Sequence, residues 1–147
     1  MKMQWLRCLA PMALWLSSAM VLAGSLDIRE GYVRELPPGQ STSAAYMKLL
    51  NNSARPIAIV AATSDVSQVA ELHTHKHVDG AMRMEQVRRL VVPARGKIEL
   101  APGGYHLMLI NLKRTLRAGD MVGITLLDEE GKSYRVHVPV VKMLGAN

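Results

Sequence analysis

The feature that most constrains this sequence is the regular interruption of short apolar or alternating segments by turn-forming residues after residue 24. No segment there keeps the long apolar period of 3.6 residues that an amphipathic helix requires. The breaks fall at Pro37-Pro38-Gly39, Asn51-Asn52-Ser53, Asp79-Gly80, Pro102-Gly103-Gly104 and Asp128–Gly131. Segments of this length and spacing predict an all-β domain of about eight or nine mostly antiparallel strands, arranged as a β-barrel or β-sandwich.

The alternation of apolar residues indicates which side chains fill the core. Two segments show it most clearly, with apolar residues at every second position: Val122, Ile124 and Leu126 in the first, and Tyr134, Val136, Val138 and Val140 in the second. Side chains two residues apart on a strand point to the same face. The sequence contains no Phe, so we expect aliphatic side chains to fill most of the core.

The N-terminal segment has the pattern of a secretory signal peptide. Lys2 and Arg7 precede an almost wholly apolar segment from Cys8 to Leu22, and Ala23 offers a small residue for cleavage. The apolar segment has about 15 residues, fewer than the roughly 20 that span a bilayer. We therefore expect residues 1–23 to be removed and residues 24–147 to form one domain. No Leu-x-x-Cys motif precedes the cysteine, so we do not expect a lipid anchor.

Removal of residues 1–23 changes the chemistry that the chain can perform. Cys8 is the only cysteine, so the remaining chain has neither a disulfide nor a thiolate ligand. A blue-copper electron-transfer site, which requires a Cys thiolate with two His, is thereby excluded. The remaining chain has 16 basic and 12 acidic residues, since Lys2 and Arg7 are lost from 18 and 12. Its basic residues are not interleaved with aromatic ones, so we expect no binding to nucleic acid.

Four residues with neutral, soft donor atoms are the candidate metal ligands. His73 and Met84 are separated by ten residues, Met84 and His106 by twenty-one, and His106 and Met108 by one. Thioether sulfur favours copper in its monovalent state over zinc, magnesium or calcium. If the four side chains converge, they predict a Cu(I) site with no thiolate and no carboxylate.

The dipeptide Asp79-Gly80 predicts a tight hairpin turn between the first two ligands, because a type I′ turn requires positive φ at both central residues. A two-residue loop then pairs Val78 with Ala81, His77 with Met82, and His75 with Met84. His73 would lie diagonal to Met84 on the same face. His75, His77 and Met82 share this face and are candidate auxiliary ligands, and the imidazoles of the two histidines would suit Cu(II).

His106 and Met108 follow the Pro102-Gly103-Gly104 turn and lie two residues apart, so one strand would present both on the same side. We expect this strand to lie beside the hairpin and complete the site.

The spacing of these ligands resembles the motif of the periplasmic Cu(A) chaperones, the PCu(A)C family. That motif is a His, ten residues, a Met, twenty-one residues and His-x-Met, and this chain matches all four positions. The similarity continues in Glu71-Leu72-His73, in the Asp79-Gly80 turn and in Gly103-Gly104-Tyr105. It covers most of the chain from about Ile28 to Val140.

The resemblance implies a cupredoxin-like fold and a Cu(I) site made by His73, Met84, His106 and Met108. It also implies a periplasmic, non-enzymatic protein that passes copper to the Cu(A) subunit of cytochrome c oxidase or to another periplasmic copper protein. Contact with a membrane would come only through a membrane-bound partner. Two features depart from the family pattern: His75 and His77 are additional, and residues 141–147 are not the His/Met-rich tail of some members.

Two alternative functions remain open from the residues alone, and an enzyme is disfavoured because two Met ligands do not suit zinc. The chain could store copper or confer copper resistance, or it could be a metal-free β-sandwich interaction module. A zinc or copper enzyme would need carboxylate ligands or a general base near an open metal position. Glu71 and Glu85 are the nearest carboxylates, and we expect both to lie on the face opposite the His/Met residues.

Overall fold

The computed structural model describes residues 25–143, which form ten β-strands and no helix. The strands are β1 (Leu26–Arg34), β2 (Thr42–Asn51), β3 (Ile57–Ser64), β4 (Ser67–Val78), β5 (Ala81–Gln86), β6 (Leu90–Val92), β7 (Lys97–Leu100), β8 (His106–Leu112), β9 (Met121–Asp128) and β10 (Ser133–Val141). The predicted signal peptide lies outside the described residues. In the part of the chain that the structure describes, no helix is long and apolar enough to span a membrane.

Seven of the strands close into a barrel in the order β4-β8-β2-β1-β10-β9-β3. The pairing of Ala62 on β3 with Ala70 on β4 closes the ring. β1 and β10 run parallel, with Val33 opposite Val140, and every other pair is antiparallel. The predicted all-β, mostly antiparallel, cupredoxin-like class is therefore confirmed.

Three further strands extend the barrel: β5 pairs with the distal half of β4, β6 pairs with β3, and β7 pairs with β2. The segment from Met82 to Val92 contains no Gly or Pro, yet it is split between β5 and β6. Between β5 and β6, the backbone N–H of Val87 donates to the carbonyl of Leu72 on β4 at 2.8 Å. Beyond this point the chain no longer pairs with β4 and pairs with β3 instead. This change of pairing partner is why ten strands form instead of eight or nine.

The core lies inside the barrel and is largely aliphatic, as the sequence predicts. The alternating residues of β9, and Tyr134, Val138 and Val140 of β10, are buried, while Val136 packs against the core. Burial of such side chains stabilises a fold by about 1.5–3 kcal/mol each. The largest fully buried side chains include Met47, Leu49, Ile59, Leu107, Leu109, Ile124 and Leu126.

The core packing of β8 determines which of its side chains face outward. Leu107 and Leu109 are fully buried in the barrel. His106 and Met108 have the opposite parity, so they lie on the outer side of the barrel wall. Across β8, His106 is opposite His73 on β4, and Met108 is opposite both Glu71 on β4 and Ala44 on β2.

Candidate metal centre

The β4–β5 hairpin has the register that the sequence predicts. Asp79 and Gly80 have φ values of 51° and 79°, as a type I′ turn requires. Val78 is opposite Ala81, His77 opposite Met82, and His75 opposite Met84. The short turn therefore places His75 and Met84 side by side on one face of the hairpin, with His73 diagonal to Met84.

His73 lies where the hairpin meets the barrel. On β4 it is opposite Gln86 of β5 on one side and His106 of β8 on the other. The ring centroids of His73 and His106 are 6.1 Å apart. The expectation that β8 lies beside the hairpin is thus confirmed, and the outer faces of β5, β4 and β8 form one continuous surface.

His106 is buried, at 3% exposure, and presents one ring nitrogen without a partner. Its Nδ1 lies 2.9 Å from the carbonyl oxygen of Gly104. Because a carbonyl only accepts, Nδ1 carries the proton and donates it, which leaves a lone pair on Nε2. Nε2 is buried and has no hydrogen-bond partner in the part of the chain that the structure describes. Burial lowers the pKa of His106, against the opposing effect of the Gly104 hydrogen bond, and favours the neutral ring that a metal requires.

Glu71 contacts the candidate ligand His73, and this corrects the expectation that it faces away. Its carboxylate Oε2 accepts a hydrogen bond from Nε2 of His73 at 3.0 Å. The physical reason is the strand period of two, which puts residues 71 and 73 on the same face. The His73 Nδ1 lone pair is buried and has no partner. Glu85 does lie on the opposite face, where it pairs with Lys76 at 2.7 Å.

His75 is closer to His106 than His73 is. The ring centroids of His75 and His106 are 5.0 Å apart, and the planes are inclined by 29°. The Nδ1 atom of His75 is buried without a hydrogen-bond partner. Three neighbouring imidazoles thus each have one buried, unpaired ring nitrogen. Buried polar atoms normally have partners, so this concentration indicates a site for an electron-pair acceptor.

A cleft on the outer surface is lined by most of the candidate ligand side chains. It is lined by Arg34, Leu36, Gln40, Thr42, Ser43, Ala44, Tyr46, His75, Met84, His106 and Met108. The side chain of Met84 is half exposed. Among residues 25–143, Arg34 is the one charged residue in this lining, and no carboxylate lines it. A hard divalent cation, which prefers oxygen ligands, would be poorly held here, whereas a soft monovalent cation fits the donors.

The remaining candidate auxiliary ligands lie further out on the hairpin. His77 is exposed, and Met82 opposite it is 54% exposed. Neither residue lines the cleft. Within residues 25–143, no group of three or more His, Cys, Asp or Glu side chains is arranged to hold a metal ion. A metal site on this surface therefore needs the thioethers, and a separate Cu(II) site at His75 and His77 stays a prediction.

Comparison with known proteins gives the family context of this geometry. Residues 26–140 match the family model described as "Putative lipoprotein LpqE-like". A relative from Leifsonia xyli subsp. xyli, named "Putative lipoprotein Lxx21020", is 34% identical over 126 residues. This match covers 85% of the chain and 75% of the relative.

Solved structures with the same fold include copper-bound proteins. The solution structure of Cu(I)-DR1885 from Deinococcus radiodurans is 38% identical, with a TM-score of 0.64, and the match covers 78% of this chain and 76% of that protein. The copper-bound PCuAC domain from PmoF2 has a TM-score of 0.67 at 19% identity, and the match covers 82% of this chain and 95% of that domain. At such low identity the second match shows the fold alone.

Proposed function

This chain belongs to the LpqE-like family and has the fold of PCuAC domains, and from that premise we propose that it is a copper chaperone that binds and transfers Cu(I). The observation that carries the proposal is the buried Nε2 atom of His106, which has a free lone pair and no partner. His106 lines the cleft together with Met84 and Met108. An imidazole lone pair beside two thioethers is a donor set that selects Cu(I).

The proposed ligands are His73, Met84, His106 and Met108. The hydrogen bonds of the two histidines fix which nitrogen each one offers: His73 would bind through Nδ1 and His106 through Nε2. Such partners orient a ligand and raise its basicity. Because all four donors are neutral, the complex keeps the single positive charge of the cation.

The accessibility of the thioethers supports transfer rather than permanent storage. Met84 is 49% exposed on the hairpin, so the ligands of an acceptor can approach the metal from solvent. Thiolates are stronger ligands for Cu(I) than thioethers, so exchange toward a thiolate-bearing acceptor is downhill. We propose that the acceptor is the Cu(A) subunit of cytochrome c oxidase or another copper protein of the periplasm. The lipoprotein names of the family and of the relative support an exported protein.

Replacement of both cleft methionines tests this proposal. We expect the double variant Met84→Leu/Met108→Leu to lose stoichiometric Cu(I) binding in an anaerobic competition titration against a coloured Cu(I) chelator. Leu has nearly the volume of Met, and such exchanges usually cost less than about 1.5 kcal/mol of stability. The far-UV circular dichroism should therefore match that of the wild type.

The matched control is Met121→Leu, because Met121 is 53% exposed on β9 and lies outside the cleft. This variant should bind Cu(I) as the wild type does. The copper-loaded wild type should also release its metal to an acceptor domain with thiolate ligands, measured after the two proteins are separated. Undiminished tight binding by the double variant would contradict the proposed ligands, and retention of copper in the presence of the acceptor would contradict transfer.

A further inference from the structure

We infer that His75 is an additional copper ligand, so that His75, the proposed ligands His73 and His106, and two thioethers are all available to one Cu(I) ion. The inference rests on the proposed function and adds a residue to the site. His75 lines the cleft with Met84, His106 and Met108, whereas His73 is not part of the lining. Of the two histidines on β4 that flank His106, His75 has the more direct access to the thioethers.

The register of the hairpin explains this placement. His75 is directly opposite Met84, and the Cβ atoms of such a pair are about 4.5–5.5 Å apart. His73 is opposite Gln86 and reaches Met84 only diagonally. The ring centroid of His75 is 5.0 Å from that of His106, against 6.1 Å for His73.

The hydrogen bonds also favour His75 as a copper ligand. The Nε2 atom of His73 is held by the Glu71 carboxylate at 3.0 Å, which restrains the orientation of that ring. His75 has no such restraint on its Nδ1 atom, which is buried without a partner. A buried nitrogen that lacks a hydrogen bond is energetically unfavourable, and coordination of a metal would remove that cost.

The three histidines on this face of β4 are therefore not equivalent. His77 has the same parity as His73 and His75, but it is exposed near the turn and does not line the cleft. It provides a matched control, because it has the same side chain on the same strand face one pleat further out.

A surplus of donors has a consequence for copper release. Cu(I) held by two thioethers needs only one or two of the three imidazoles at a time. One imidazole can therefore dissociate and leave its coordination position to a ligand of the acceptor, while a second imidazole and the thioethers keep the ion bound. The exchange changes no oxidation state and moves no proton, since every donor is neutral.

The experiment combines Cu(I) competition titrations of the full chain with nitrogen-15 NMR of its imidazoles. We expect His73→Ala and His75→Ala each to weaken Cu(I) binding, and His73→Ala to do so by at least as much as removal of its Glu71 partner, about tenfold. The double variant should weaken it by more than the product of the two single effects, because neighbouring ligands are not independent. His77→Ala should bind as the wild type does. In the wild type, added Cu(I) should shift the Nδ1 resonance of His75.

The outcomes separate this inference from the proposed function. If Cu(I) shifts the resonances of His106 and His73 but leaves those of His75 unchanged, and His75→Ala binds normally, the inference is wrong and the chaperone proposal stands. If the wild type does not compete for Cu(I) at all, both are wrong. The NMR measurement needs no variant, so a failure of any variant to fold does not remove the test.

Discussion

At the scale of single residues, the two motif histidines make their hydrogen bonds through opposite ring nitrogens. Gly104 offers a carbonyl to Nδ1 of His106, and Glu71 offers a carboxylate to Nε2 of His73. Each partner holds the proton on one nitrogen and leaves the lone pair on the other. The Gly104 carbonyl is fixed by the backbone. The Glu71 carboxylate is a side chain that a substitution can remove.

Removal of the Glu71 carboxylate should weaken copper binding without unfolding the chain. We expect Glu71→Leu to lower Cu(I) affinity by about tenfold or more, because the hydrogen-bond partner of a metal-bound His typically contributes this much. The competition titration measures the change. Glu85→Leu is the control, since Glu85 pairs with Lys76 on the opposite face. Equal affinities for the two variants would show that Glu71 does not position His73.

At the scale of strands, the sequence predicts the features that depend on residues close in the chain, such as the hairpin register. It misses the features that depend on how distant strands are aligned. The Asp79-Gly80 turn determines the hairpin register, because its two positive φ values leave one tight pairing. The same parity rule puts Glu71 beside His73, so the expectation that it faces away was wrong and a residue count would have corrected it. The stacking of His75 on His106 could not be predicted, because it depends on the register of β8 against β4, which no turn between these two strands determines.

The turn itself provides a test of how the hairpin supports the site. A methyl group at Gly80 would meet no atom within 4 Å, so Gly80→Ala acts only through its φ of +79° and should cost about 1 kcal/mol. We expect the hairpin amides to exchange hydrogen faster and Cu(I) affinity to fall several-fold.

The matched control is Gly131→Ala, since Gly131 also has a positive φ and open space around it but lies between β9 and β10. It should lower stability by a similar amount and leave copper affinity unchanged. If both variants weaken copper binding equally, the effect comes from general destabilisation and not from the hairpin.

At the scale of the whole molecule, the barrel carries polar clusters in separate places, and two of them bear on testable properties. One is the histidine cluster on β4 and β8. The other joins β9 and β10: the buried hydroxyl of Tyr134 donates to Oδ2 of Asp128 at 2.9 Å, and Oδ1 of Asp128 accepts the backbone N–H groups of Glu130 and Lys132. This second cluster closes the β9–β10 turn, so it links the protonation of one side chain to the stability of the barrel.

The stability of the barrel should therefore decrease in alkali in a way that depends on Tyr134. Burial raises the pKa of Tyr134 above the usual value of 10.0, and the hydrogen bond to Asp128 raises it further, although the Ser25 hydroxyl opposes this. Above pH 10.0 the unfolded chain loses the phenolic proton while the folded chain retains it. The contribution of Tyr134 to the free energy of unfolding is thus fully present below that pH, and it is lost as the pH rises through the raised pKa.

Urea unfolding at a series of pH values between about 8 and 11 measures this decline. Tyr134→Phe should lower stability by about 1 kcal/mol at the neutral end, because the hydrogen bond to Asp128 is lost, but its alkaline decline should be shallower than that of the wild type. Burial also raises the pKa of Tyr46, so Tyr46→Phe should remove a second, separate part of the decline. Equal slopes for the wild type and Tyr134→Phe would show that this phenol ionises as easily in the folded barrel as in the unfolded chain, and that the cluster does not couple its proton to folding.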